Sequence, residues 1–259
     1  MKRFLSEIED LSWLPHWLRR YLTDYLQFIF RHFNLYAPVT SFLHDILIQT
    51  RQKQLVDLCS GSGGPLLQIR KDYFRKYGSV PSILLTDKYP NTVLNKLLAP
   101  GIMYNPDPVD AKSIPENLKG VRTMFSSLHH FSLPELAQIL KDAVAKKQPV
   151  AFFDSGDKNI FFIIGIIIIH PILLILLTPF IKPFSFGRLI FTYIFPLVII
   201  GAVWDGVVSI IHLHSFSSLK NLIDNHELNK FQWKIIKLKN KLGMSINSLI
   251  GIPLNTISK

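Results

Sequence analysis

Leu55-Val56-Asp57-Leu58-Cys59-Ser60-Gly61-Ser62-Gly63-Gly64-Pro65 is the stretch that decides how this chain is read. Leu55 to Leu58 is an apolar run of the kind that forms a buried strand. It passes into small residues and three glycines, and a helical pattern follows from Pro65 to Tyr77. Strand, glycine turn and helix together aim backbone N–H groups and a helix N-terminus at an extended ligand. Gly61 and Gly63 permit a tight turn and close approach. Pro65 suits the first helical turn, where an N–H is not needed. Such a turn can also be a plain strand-to-helix connection, so the next strand matters.

That strand is Ser82-Ile-Leu-Leu-Thr-Asp87, which is apolar and ends in a carboxylate. An acid at the tip of the second strand, twenty-odd residues after the glycines, is where a ribose diol is gripped. Asp87 follows Gly63 by 24 positions. A helix N-cap ahead of Pro90 is the other reading of Asp87, and the two roles are compatible.

Four ordered motifs now stand in line: Asp57-Leu-Cys-Ser-Gly-Ser-Gly-Gly64, Leu85-Thr-Asp-Lys88, Val109-Asp-Ala111 and Phe125-Ser-Ser-Leu-His-His-Phe131. Together they resemble the motif set of class I S-adenosylmethionine-dependent methyltransferases. The resemblance covers about residues 50 to 158 and resumes near 215 to 253. It implies S-adenosyl-L-methionine as cofactor, held by Asp57, Cys59, Ser60, Gly61, Gly63, Asp87, Lys88, Asp110, Ala111, Ser126 and Ser127. Cys59 stands where that family usually has its first glycine. The resemblance also implies that Asp110 meets the adenine amino group and that residues 125–131 line the methyl-transfer site. A solvated loop acid is the alternative for Asp110.

The 259 residues suffice for one large domain or two small ones. A net charge of +11 and a pI near 9.7 point to an anionic partner or to plain solubility. Mean hydropathy is +0.25, high for a soluble enzyme. The single cysteine, Cys59, rules out an internal disulfide. Acids at Glu7, Glu9 and Asp10 stand where a secretory signal would need an apolar run.

Residues 5 to 50 carry helical periodicity: Leu14, Trp17, Leu18, Tyr21, Tyr25 and Ile29 recur at three- and four-residue spacing. This region is read as helices packed on the following domain, or as a lid or membrane-surface helix. Pro38 breaks it, and Thr40 or Ser41 is the expected cap of a second helix, Phe42 to Thr50. From 55 to 153 strands (about 55–58, 82–86, 102–105, 121–126, 149–153) alternate with helices (about 65–77, 90–98, 133–146), which predicts a parallel sheet with helices on both faces. Ser132-Leu-Pro-Glu135 is a capping box. Ligands in such sheets sit at the carboxyl ends of the strands. That edge collects Asp57 to Gly63, Asp87, Asp110, Ser126 to His130 and Asp154. His129 and His130 are the candidate general bases, because neutral imidazole accepts a proton near pH 7. One of them can equally be a structural hydrogen-bond partner. No metal is expected from their surroundings in sequence.

After Asn159 the composition changes. Ile160 to Thr178 holds 19 residues without formal charge, roughly 28 Å of helix against a hydrocarbon core of about 30 Å. Leu189 to Val203 adds about 15 apolar residues, too few for a straightforward span. Pro171 and Pro196 are expected to kink these segments. Trp204-Asp205-Gly206 follows at the expected end of the second segment, and Asp205 is read as a helix-end cap or an active-site acid. Beyond 212 come a helix, Ser215 to Asp224, and two strands, Phe231 to Leu238 and Ser245 to Ile252, which complete the sheet. The apolar region is then an insertion whose two ends return to one side of a membrane, as a spanning or a re-entrant hairpin. A pair of buried soluble helices is the alternative; four consecutive isoleucines with no polar face speak against it.

The expected organisation is therefore 1–50 N-terminal helical region, 51–159 cofactor-binding core, 160–204 apolar hairpin and 205–259 closing helix and strand hairpin. The expected fold is a Rossmann-like, mostly parallel α/β sheet. The leading functional expectation is a membrane-associated methyltransferase for a lipophilic small molecule or lipid, its catalytic domain on the cytoplasmic face. The alternatives are an RNA methyltransferase and a non-catalytic membrane protein that keeps the fold. Against nucleic acid, the sequence shows no second cysteine to attack a pyrimidine and no cation–aromatic platform.

Overall fold

The computed structural model describes residues 5–61, 63–90, 100–225 and 228–254. The expected helix at 90–98 lies almost wholly outside them. Seven strands form one sheet: β1 (Gln54–Asp57), β2 (Ser82–Leu85), β3 (Ile102–Tyr104), β4 (Val121–Phe125), β5 (Val150–Ser155), β6 (Phe231–Lys239) and β7 (Ser245–Pro253). Their order is β3-β2-β1-β4-β5-β7-β6. The first five pair in parallel, and β7 runs antiparallel to both β5 and β6. The fold class expected from the sequence is borne out.

Local chemistry explains these elements. β4 and β5 are buried on both faces, as central parallel strands are, although β4 carries Arg122 and Thr123 and β5 ends in Asp154 and Ser155. α3 (Leu66–Tyr77) starts after Pro65 and stops at Gly78, whose φ of +71° closes the helix in the left-handed region. α4 (Leu133–Ala145) opens on the Ser132/Glu135 capping box. With α8 (Phe216–Asn225), α4 covers the sheet face that carries Val56, Met124, Phe152 and Leu249. Each such buried side chain contributes about 1.5–3 kcal/mol. α2 (Val39–Thr50) packs on α3, with the His44 ring stacked 3.7 Å from that of Tyr77. Contrary to the expected cap at Thr40 or Ser41, α2 starts after Pro38, and both residues lie inside its first turn. Proline already supplies the helical φ at that point.

The chain divides into two compact units. The sheet unit comprises Leu35–Ser155 and the described chain from His214 onward. It takes in α2, which the sequence reading had grouped with the N-terminal helices. The second unit comprises the described residues up to Asn34 and Gly156–Leu213. In it a single 3-10 turn, Ile8–Asp10, precedes α1 (His16–His32), and then come α5 (Ile160–Leu177), α6 (Phe186–Tyr193) and α7 (Leu197–His212). Pro171 lies within α5 without interrupting it. Pro196 does break its segment: α6 and α7 meet at 76°, and α7 continues to His212 instead of ending near 203.

Candidate functional site

The carboxyl edge of β1 and β2 is stitched by the backbone. Thr86 donates its N–H and its hydroxyl to the Asp57 carbonyl, both at 2.8 Å. Ser60 returns its N–H to the Thr86 carbonyl at 3.0 Å and its hydroxyl at 3.1 Å. Between them the chain turns through the left-handed region at Cys59 (φ +53°), Gly61 (+50°) and Gly63 (+91°). A Cβ on Gly63 would stand 3.2 Å from the Leu85 side chain, so the glycine is needed for space as well as for φ.

Asp87 closes this turn. One of its carboxylate oxygens accepts the Gly61 N–H at 2.9 Å, and the other accepts the Tyr89 N–H at 2.9 Å. The Asp87 carbonyl accepts the Val109 N–H, which draws in the next loop. There Lys88 pairs with Asp110 at 3.0 Å. The Asp110 carboxyl lies below its usual range, chiefly because the Lys112 N–H donates to it. Ala111, beside it, is buried.

Asp57 lies beneath the turn, 3% exposed, and accepts the Thr123 hydroxyl at 2.7 Å. Burial pushes its carboxyl up to about 8; the Thr123 hydrogen bond opposes this and the charge of Asp87 adds to it.

Beyond β4 and β5 a second cluster forms. Ser126 has a φ of +48°, and its hydroxyl bonds the buried Tyr36 phenol at 2.5 Å. Burial and then the Asp154 charge raise the Tyr36 phenol, against hydrogen bonds from Ser126 and Ser155. The Ser127 hydroxyl donates to the Phe125 carbonyl. Asp154, buried at the end of β5, accepts the Leu128 N–H at 3.3 Å and bonds His129 Nδ1 at 3.1 Å. Burial alone would raise its carboxyl, but His129, and more weakly His130 and His214, hold it below its usual range. An ionised Asp154 only accepts, so Nδ1 carries the hydrogen and Nε2 keeps the ring lone pair in neutral His129. The His130 ring lies 4.5 Å from that of His129.

Thus Asp57, Cys59, Ser60, Gly61, Gly63, Asp87, Lys88, Asp110 and Ala111 gather at the β1–β2–β3 tips, with Ser126, Ser127, His129 and His130 after β4. Asp205 belongs to the helical unit, in mid-α7, where its carboxylate accepts the Ile8 and Glu9 N–H groups. It caps the Ile8–Asp10 turn, so the expected helix-end position is corrected. Sequence reasoning missed Tyr36; its lone signal was an aromatic two residues before the Pro38 break. On α3, Arg70, Lys71, Phe74 and Arg75 line an open cavity of about 290 Å³.

No protein-family model matches this chain, and no curated protein matches it in sequence. Solved structures do match. A plantazolicin methyltransferase, BpumL, in complex with SAH shares 8% identity over 91% of this chain and 90% of that chain, with a TM-score of 0.53. The methyltransferase domain of bacterial CtHen1 shares 12% identity over 84% and 99%, with a TM-score of 0.48. Human N-acetylserotonin methyltransferase in complex with SAM shares 12% identity over 91% and 56%, with a TM-score of 0.47. At 8% identity the first likeness is one of fold. Strand order, the antiparallel β7 and that likeness agree: the chain has the fold of the class I S-adenosylmethionine-dependent methyltransferases.

Proposed function

We propose that this protein is a membrane-associated S-adenosylmethionine-dependent methyltransferase acting on a lipophilic small molecule or lipid. The observation that carries the reading is the closed β1–β2 edge, where the Gly61 N–H and the Asp87 carboxylate meet above a buried Asp57. The donor set fits the cofactor. A two-oxygen carboxylate suits a ribose diol, a glycine turn admits close approach, and a buried acid held near pKa 8 gains from a cationic amine beside it. S-adenosylmethionine, when bound, supplies an electrophilic methyl group. The protein's own task is then alignment and exclusion of water. Asp87 and Asp110 orient, Asp57 balances charge, and the Asp154-held His129 takes the acceptor's proton where the acceptor carries one.

The membrane part rests on Ile160–Phe180, 21 residues of which only Ile166, Leu174 and Thr178 are buried. Ile164, Ile168, Ile172 and Ile175 are exposed along α5, a costly arrangement in water and a fitting one against lipid or a lipophilic substrate.

The test is titration of detergent-solubilised protein with S-adenosylmethionine beside an Asp87→Ala control, followed by transfer of labelled methyl to lipid-extract fractions. Micromolar binding weakened about tenfold or more by the substitution is expected, since two charge-assisted hydrogen bonds are lost. Failure of the folded wild-type protein to bind overturns the enzymatic reading. Binding without transfer to any lipid fraction overturns the substrate class.

A further inference from the structure

We infer that the apolar helices α5–α7 seat in a single membrane leaflet and do not cross the bilayer, because their turn is locked to the charged helix α1. The inference rests on the membrane reading above and concerns its geometry.

The turn between α5 and α6 is the part that would emerge on the far side if α5 spanned. It is not a free tip. Arg188, fully buried, donates to the Ile181 and Pro183 carbonyls of that turn and pairs with Asp24 of α1 at 2.8 Å. The Ser185 hydroxyl donates to the Tyr21 hydroxyl, again on α1. Three further contacts fix where α1 lies. Leu22 fills the space beside Gly201 of α7, and the Tyr25 ring lies 5.8 Å from that of His170, in the middle of α5. Trp17 stacks on Phe191 of α6 at 4.3 Å. Between Trp17 and Tyr25, roughly 12 Å of helix, α1 therefore meets the turn, the middle of α5 and both later helices.

α1 is no lipid helix. Arg20, whose side chain is 65% exposed, and Arg31 and His32, both exposed, occupy its outer face. Upstream, the segment with Glu7, Glu9 and Asp10 is bound along α7 by Asp205, by Ser209 and by the Trp204 indole. Charged groups thus follow the apolar helices from Ser209 to the turn itself. A spanning hairpin would drag Arg20 and Asp24 into hydrocarbon, where charged side chains are strongly disfavoured. A hairpin that enters one leaflet and returns keeps α1 at the aqueous boundary and gives the exposed isoleucines of the uniformly apolar α5 to lipid, with the broken α6–α7 pair as its bend. Lys182 at the turn is exposed and suits headgroup phosphates.

The test is labelling with a membrane-impermeant maleimide on sealed vesicles of each orientation, in full-length Lys182→Cys and Arg20→Cys, with Lys239→Cys on β6 as the side reference; native Cys59 is separated by peptide mapping. Position 20 is expected to label from the side of position 239, and position 182 from that side or from neither until detergent is added. Labelling of position 182 from the opposite side, or protection of position 20 by lipid, overturns the inference. Release of the chain from vesicles by alkaline carbonate overturns instead the membrane reading beneath it.

Discussion

Cys59 holds a φ of +53° at the turn where glycine is the natural occupant. A left-handed conformation costs an L-residue about 1–2 kcal/mol, and glycine gives back roughly half of that in unfolded-state freedom. Cys59→Gly is therefore expected to stabilise by up to about 1 kcal/mol, and Cys59→Val to destabilise by about 1–3 kcal/mol, in chemical unfolding in detergent. Asp57 makes a pH prediction. The folded chain keeps its proton up to about pH 8, whereas an unfolded aspartate releases it near 4. The folded state thus holds the extra proton between those values, and this group's contribution to stability falls as pH rises through that window. Asp57→Asn, which still accepts from Thr123, should flatten the decline in melting temperature between pH 5 and 8. Asp154 runs the other way. Its lowered carboxyl stabilises above about 4 and loses that contribution as pH falls through its folded value. Asp87 was legible because spacing alone marks the tip of a second strand. Tyr36 was not: what makes it notable is its bond to Ser126, 90 residues away, and no local period encodes that.

Elements were legible where they obey one period. The parallel strands, the Ser132 capping box and the Gly78 stop follow from local patterns, and the structure repeats them within a residue or two. The apolar insertion was less legible, because a uniformly apolar helix has no face to read. Pro196 did mark the 76° break, but the extension of α7 to His212 left no trace in its hydropathy. The tie between α1 and α6 also escaped, since Asp24 and Arg188 lie 164 residues apart. That pair supports a prediction at this scale. Asp24→Ala leaves the buried Arg188 guanidinium without its carboxylate and is expected to destabilise by about 3 kcal/mol. Thermal unfolding in detergent measures it, and Asp24→Asn, which keeps a hydrogen-bond acceptor, should recover part of the loss.

At the scale of the molecule, one chain has two tasks under the proposed function: a sheet edge that holds a cationic nucleoside and a helical unit that seats in lipid. These demands are separable in energy. The exposed isoleucines of α5 support no packed core, so replacing them removes affinity for lipid without opening a cavity. Each Ile side chain moved from water into lipid gains about 25 cal/mol per Å² of apolar surface buried, and each polar replacement adds an opposing term. Ile164, Ile168, Ile172 and Ile175 changed together to Gln should move the protein from floating with vesicles to remaining in the supernatant. S-adenosylmethionine affinity should stay within about twofold, because none of the four belongs to the sheet unit. Transfer of methyl to a lipid-embedded acceptor should fall far more than transfer to the same acceptor offered in detergent micelles. Flotation, calorimetric titration and the paired transfer assay read these three quantities separately. A parallel loss of cofactor affinity would mean that the helical unit supports the cofactor edge directly, and that lipid access and cofactor binding are one property rather than two.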